Sequence, residues 1–266
     1  MTNNSLEKTS APAPLVWTSG SAVKLSMISA LGVPVRHIEP RTEFDEREFQ
    51  DTMLADAQTP KMVRALAIEK ARHAAADLEE ILAEEQARLG EDVPQIILSG
   101  DVVVELDGIP LHKPSSPEEA EIRIKSLRGR EVRFVSALAA LNRKTGEIFS
   151  GVTTASMRVD GPDKLTDELV REIVATDTYV LGATGGLNLA GYANGTPAPL
   201  RAFIHSPHSP DDDVWGTTFG VPPGLLVKLA AQAGAPIDMA SVRIPGHHIL
   251  PGGPNMVTNR PKPALS

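Results

Sequence analysis

The sequence predicts an α/β or α+β fold built on a mixed sheet with helices packed against it. Three observations carry that reading. The apolar run Leu15-Val16-Trp17 passes through the loop Thr18-Ser19-Gly20-Ser21 into a helix from Ala22 to Leu31. The segment IILSGDVVVELDGIPLHKP, residues 96–114, reads as a strand turned back by Asp107-Gly108. EVRFVSALAALN (131–142) and EIFSGVTTASMRV (147–159) read as two strands joined by the hairpin Arg143-Lys144-Thr145-Gly146. Hairpins together with helical connections place parallel and antiparallel pairs in one sheet.

The elements follow in order. Residues 1–14 read as a disordered tail. Ser21 is a suitable N-cap for the first helix, Gly32 suits its C-terminal turn, and Pro34 blocks continuation. Residues 35–58 carry the acidic cluster Glu43, Asp45, Glu46, Glu48. Thr59-Pro60 opens a long helix that can run to Gly90, with Met62, Val63, Leu66 and Ala67 at helical spacing. Its second half, DLEEILAEEQARLG, is more polar and is expected to project into solvent. Ser116-Pro117-Glu118-Glu119 is a capping box for a helix to about Arg128, which Gly129 stops. Thr166 caps a further helix, DELVREIVAT. Residues 182–220 are rich in Gly, Pro, His and Asp and show no clear period. Pro222-Pro223 open a last helix to Gly234, and a Pro/Gly-rich tail follows, 245–266. One domain over 15–244 is expected.

Composition narrows the function classes. A chain of 266 residues is long enough for a sizeable core, and 41% hydrophobic with 23% charged residues is ordinary for a globular protein. With 2 Trp, 2 Tyr and 6 Phe and a net charge of −8, a broad binding surface for nucleic-acid polymer is not expected. A small cationic pocket for one phosphorylated metabolite remains compatible with that charge. The absence of Cys excludes disulfides, thiol catalysis and Cys-ligated zinc. No apolar run reaches the roughly 18 residues a membrane span needs. The first 14 residues lack the basic start and apolar stretch of a signal peptide, so the cytoplasm is the expected compartment.

Three places carry chemistry. Asp101 lies inside a strongly apolar strand, where an unpaired charge is costly. Either backbone amides at a strand end satisfy it, or it belongs to a site. Ser19-Gly20-Ser21 stands between a strand and a helix N-terminus, where backbone amides favour phosphate. Lys24 lies in the first turn of that helix, an unfavourable place for a cation, which suggests another task. Lys70 lies four residues after Leu66 and seven after Val63, on their apolar stripe. It can snorkel to solvent or reach a buried anion, and spacing does not choose. Lys113, before Pro114, is available to hold phosphate across the hairpin from Asp101, whose carboxylate can hold Mg²⁺ or activate water.

Taken in order, these pieces resemble the Maf family of nucleoside triphosphate pyrophosphatases. The matching segments are T-S-G-S-A-V-K-L-S-M-I-S-A-L-G (18–32), F-D-E (44–46), L-A-I-E-K-A (66–71) and D-V-V-V-E-L-D-G-I-P-L-H-K-P (101–114). E-E-A (118–120), L-R-G-R (127–130), G-A-T-G-G-L (182–187) and F-G-V-P-P-G-L-L-V-K-L (219–229) continue the series, so the similarity runs from about 15 to 234. The resemblance implies a mixed twisted sheet in two lobes with a central cleft, as in Maf and ITPase-like proteins. It implies release of pyrophosphate from a nucleoside triphosphate with Mg²⁺ or Mn²⁺, and a homodimer. Asp101 would be the catalytic carboxylate that orients water and metal, assisted by Glu46. Ser19, Ser21, Lys24, Lys70 and Lys113 would contact the phosphates. The chain departs from the family pattern where paired Arg becomes Val23-Lys24, where the Thr after the Asp becomes Val102, and where Gln becomes Leu187. Asn188 can replace that Gln if the loop shifts by one. Residues 190–215 look like an insertion, and activity on a different or modified nucleotide, with that insertion reshaping the base pocket, is a further alternative.

Competing readings exist. Tyr179-Val180-Leu181 before Gly182-Ala183-Thr184-Gly185-Gly186 imitates a dinucleotide-binding turn after a strand, but the following LNLAGYANGTPAP breaks the helix that motif requires. His205, His208 and Asp211 to Asp213 offer metal-ligand types in what otherwise reads as a solvated loop, and His247-His248 lies in the tail. The Val23 and Leu187 departures raise an alternative: a Maf-like protein that has lost turnover and binds a nucleotide or a partner.

Overall fold

The computed structural model describes residues 15–33, 35–42, 44–54, 58–89, 95–190, 198–205, 213–238, 240 and 242. The expected tails 1–14 and 245–266, Glu43, His208, Asp211, Asp212, His247 and His248 lie outside the described residues.

The strands are β1 (Leu15–Trp17), β2 (Val35–His37), β3 (Ile96–Leu106), β4 (Ile109–Leu111), β5 (Glu131–Asn142), β6 (Ile148–Val159) and β7 (Ile204–His205). The helices are α1 (Ala22–Leu31), α2 (Glu46–Leu54), α3 (Thr59–Leu89), α4 (Pro117–Leu127), α5 (Asp167–Thr176), α6 (Asp213–Thr218) and α7 (Pro223–Gln232). Among the described residues the seven strands form one mixed sheet in the order β2-β1-β3-β5-β6-β7, with β4 paired to β3. β1 runs parallel to β2 and β3, and the pairs β3–β5, β5–β6 and β6–β7 are antiparallel.

Local signals explain most boundaries. Ser21, Ser116 and Thr166 each accept a hydrogen bond from the backbone amide three residues on and so cap α1, α4 and α5. Asp107 and Gly108 both have positive φ, 51° and 81°, the turn that joins β3 to β4. Side-chain alternation divides the apolar residues between two cores on opposite sides of the sheet. Trp17, Leu98, Phe134 and Leu138 pack with Met27, Ile28, Ile124, Val170 and Leu226 from the helices on one side. Val16, Ile97, Val103 and Val135 pack against Met62, Val63, Ala67, Ala71 and Leu78 of α3 on the other.

One expectation needs correction, and two further segments gain definition. The second half of α3 does not project into solvent: Ala74, Leu78 and Leu82 are fully buried against the sheet. They continue the stripe of Ala67 and Ala71 at three- and four-residue spacing, which the intervening Glu residues mask. The region of the acidic cluster, for which no element is expected, holds β2 and α2. Tyr179-Val180-Leu181 is not a strand. Val180–Gly182 and Thr184–Gly186 are short 3₁₀ turns, which removes the structural context of a dinucleotide turn.

Candidate active site

Asp101 stands in the middle of β3, in register with Ala137 of β5. It shares a strand face with Ile97, Ser99 and Val103, the face covered by α3. Ser99 Oγ donates to the Ala67 carbonyl at 2.6 Å and fixes α3 over this part of the strand. Two ammonium groups converge on one oxygen of the carboxylate. Lys24 Nζ and Lys70 Nζ each donate to Asp101 Oδ1 at 3.3 Å. Lys24 Nζ also donates to the Gly100 carbonyl at 2.7 Å, and Lys70 Nζ pairs with Glu46 Oε1 at 2.7 Å. Lysines, not backbone amides, therefore satisfy the strand carboxylate.

Each partner is placed by its own element. Lys24 sits in the first turn of α1 and Lys70 two turns after Val63 on α3, so one comes from each side of the sheet. Glu46 opens α2, where a carboxylate also suits the positive end of the helix. Ser19 Oγ accepts from the Ser21 amide and Ser21 Oγ accepts from the Lys24 amide. Both hydroxyls thus stiffen the loop by accepting, and each keeps its O–H for a ligand oxygen.

The electrostatics follow from burial and pairing. Burial works to raise the Asp101 pKa, but the ammoniums of Lys70 and Lys24 outweigh it and hold the group below the usual carboxylate range. Burial lowers the Lys24 pKa, only partly countered by Asp101. For Lys70 burial is outweighed by Asp101 and Glu46, which hold it above the ordinary lysine value. Asp101 has its folded pKa below the unfolded value of about 3.9, so its contribution to stability is complete above that value and is lost as pH falls through the folded pKa. The melting temperature of the wild type is expected to fall more steeply between about pH 4 and pH 2 than that of Asp101→Asn. Parallel slopes in that window would show that Asp101 carries no such linkage.

The cluster opens into a cavity of about 490 Å³ lined by Ser19, Ser21, Lys24, Glu46, Lys70, Asp101 and Lys113. A neighbouring cavity of about 930 Å³ shares Ser19, Glu46, Lys70 and Lys113 and extends along Arg41, Thr42, Phe44 and His73. Both are within the size range of small-molecule sites. Lys113 is exposed, lines both cavities and shares the smaller one with Asp101; it follows β4, which pairs with Val104 to Leu106 of β3. Asn188 does line the cleft, yet Asp177 Oδ2 accepts from its Nδ2 at 2.9 Å and its Oδ1 accepts from the Ala190 amide. Its carboxamide is thus engaged inside the protein. Val23 and Leu187, the apolar replacements, both lie on the cleft wall. His205 lies away from this cleft and pairs with Asp160 at 2.9 Å.

Two features of the site had no counterpart in the reading of the sequence. One is the Gly100 carbonyl, which anchors Lys24. The other is Gly220, whose φ is +79° and where an added Cβ would come within 2.8 Å of Lys24 Cε and 3.2 Å of Val102 Cγ1. The position needs both the left-handed backbone and the missing side chain. Gly220→Ala is expected to cost about 1–2 kcal/mol from the backbone alone, read from urea unfolding. An unchanged midpoint would mean that the loop shifts freely.

The chain is similar to known proteins over much of its length. The family described as Maf-like protein matches residues 14–196. A 7-methyl-GTP pyrophosphatase from Burkholderia lata is 30% identical over 139 residues, 51% of this chain and 56% of the relative. A 7-methyl-GTP pyrophosphatase from Paraburkholderia xenovorans is 26% identical over 228 residues, 85% of this chain and 95% of the relative. A crystal structure of a nucleoside-triphosphatase, a dITP/XTP pyrophosphatase from Mycobacterium abscessus, shares 15% identity with a TM-score of 0.32, covering 55% of this chain and 74% of that one.

Proposed function

The chain belongs to the Maf-like protein family, and on that premise we propose that it is a metal-dependent nucleoside triphosphate pyrophosphatase. Water adds to phosphorus, a phosphoanhydride bond breaks, and pyrophosphate and a nucleoside monophosphate leave. The observation that carries the reading is the shared carboxylate: Asp101 faces a nucleotide-sized cleft with Lys24 and Lys70 on one of its oxygens and Glu46 next to Lys70.

The chemistry of each residue follows. Asp101 is ionised at neutral pH, so it can orient a water molecule and take its proton. Lys24 and Lys70 hold that carboxylate in place and turn to phosphate oxygens when a polyanion enters. Lys113 and the O–H groups of Ser19 and Ser21 add donors along the same cleft. In phosphoryl chemistry of this kind, positioning and charge neutralisation supply most of the acceleration.

A divalent cation would be held by Asp101 and Glu46. Asp101 Oδ1 takes both lysines, and Oδ2 accepts no hydrogen bond from a described residue. Among the described residues no group of three or more His, Asp or Glu could enclose a metal alone. Two hard carboxylates suit Mg²⁺ or Mn²⁺. When bound, such an ion neutralises phosphate charge in the transition state.

The names of the relatives point to 7-methyl-GTP as the first substrate to try, in line with a non-standard nucleotide. Among the described residues no helix is long and apolar enough to cross a membrane, and the reading includes a homodimer acting in the cytoplasm. Apolar Val23 and Leu187 on the cleft wall favour one second reading, a nucleotide-binding protein without turnover. The test is a panel of ordinary and modified nucleoside triphosphates with Mg²⁺ or Mn²⁺, with and without EDTA. Pyrophosphate release that EDTA abolishes, strongest with a modified purine, is expected. Bound nucleotide with no release across the panel would select the second reading.

A further inference from the structure

The cleft is lined by two chemically different sets of side chains. One is the Lys24, Lys70, Asp101 cluster described above. The other is apolar: Phe134, Leu187, Leu189, Ala190 and Phe219. Three further polar side chains of the same lining are already engaged. Thr184 Oγ1 donates to the Leu111 carbonyl, Thr218 Oγ1 donates to the Val214 carbonyl, and Asn188 is held by Asp177. These three leave little side-chain hydrogen bonding to read the edge of a ligand.

Phe219 is built into a stack. Its ring lies 5.8 Å from that of Trp215 with 20° between the planes. The Arg201 guanidinium sits 4.2 Å from the Trp215 ring centre and 5.9 Å from that of Phe219. Arg201 Nη1 also donates to the Leu189 carbonyl at 3.2 Å, and Leu189 belongs to the same cleft wall. One side chain therefore ties the aromatic pair to the 187–190 segment. Such contacts favour planar, polarisable partners.

We infer that Phe219 is the residue on which this site receives the nucleobase, and that Arg201 is a positioning residue that holds Phe219 and the 187–190 wall in register. This rests on the nucleotide reading of the site and adds to it the manner of base recognition. The base is taken by its faces and its apolar substituents. An added methyl group meets an apolar wall without unpairing any polar group.

The experiment compares two ligands by calorimetry in the presence of EDTA, which holds turnover off: 7-methyl-GTP and inorganic tripolyphosphate, which has the phosphates but no base; KM is read separately with Mg²⁺. Phe219→Leu keeps an apolar side chain and removes the ring. Its nucleotide affinity is expected to fall about tenfold or more, with tripolyphosphate affinity retained, since loss of a base–aromatic stack has that size. Phe219→Tyr should restore most of it. Arg201→Met should raise KM for the nucleotide several-fold, again without moving tripolyphosphate. A thermal melt of each variant controls for folding. Equal losses for both ligands would overturn the inference, because Phe219 would then only support the cleft. Unchanged nucleotide affinity in Phe219→Leu would overturn it as well. A wild-type protein that binds the nucleotide no more tightly than tripolyphosphate would do the same. Tight nucleotide binding without hydrolysis would remove the hydrolase reading, and the affinity ratio would still decide the role of Phe219.

Discussion

Asp101→Asn is expected to lower pyrophosphate release by about 10²–10⁴-fold, the usual contribution of a positioned general base. The substitution keeps the shape of the side chain and removes its charge. Lys24 and Lys70 then lose the anion they share at 3.3 Å. The two ammoniums become freer to pair with phosphate, so nucleotide affinity should hold or rise while turnover collapses. That split separates a reacting carboxylate from a structural one. A purely structural Asp101 would lose stability and affinity together and keep kcat in the surviving folded fraction.

The second large effect is expected at Lys70. This ammonium bridges Glu46 at 2.7 Å and Asp101 at 3.3 Å, and its side chain is only 17% exposed. Lys70→Met keeps the length and packing of the stem and removes the charge. Breaking a buried pair from one side costs about 3–5 kcal/mol when the other charge is stranded, and Lys24 reduces that here by remaining on Asp101. A loss of about 1–3 kcal/mol in stability and of about 10–100-fold in kcat/KM is expected, the size of a lost bond to a charged group. In the double variant with Asp101→Asn the two stability losses should not add, because the first removes what the second would break. Additive losses would show that the Lys70–Asp101 contact carries no energy.

How far the sequence revealed this site depended on which contacts local pattern controls. Asp101, Lys24 and Lys70 stood out because each charge sat where its own element disfavoured it: inside a strand, at a helix N-terminus, on an apolar stripe. The structure brings the three together. The caps Ser21, Ser116 and Thr166 and the Asp107-Gly108 turn were equally legible, since they act within a few residues. Asn188 was not. Its carboxamide is taken by Asp177, a contact across a chain of tight turns that no spacing reports. Gly220 was hidden for a similar reason, because its role comes from Lys24, nearly 200 residues earlier in the chain. The buried half of α3 was obscured by composition: Leu78 and Leu82 face the sheet while the Glu residues between them face outward.

The central claim is that this carboxylate and its two lysines serve phosphoanhydride cleavage between the monophosphate and the pyrophosphate. The most direct measurement is chromatographic identification of all products after wild-type protein acts on 7-methyl-GTP with Mg²⁺. Equimolar nucleoside monophosphate and pyrophosphate, absent with Asp101→Asn, is the predicted result. Nucleoside diphosphate with orthophosphate, or the same products from both proteins at the same rate, would contradict it.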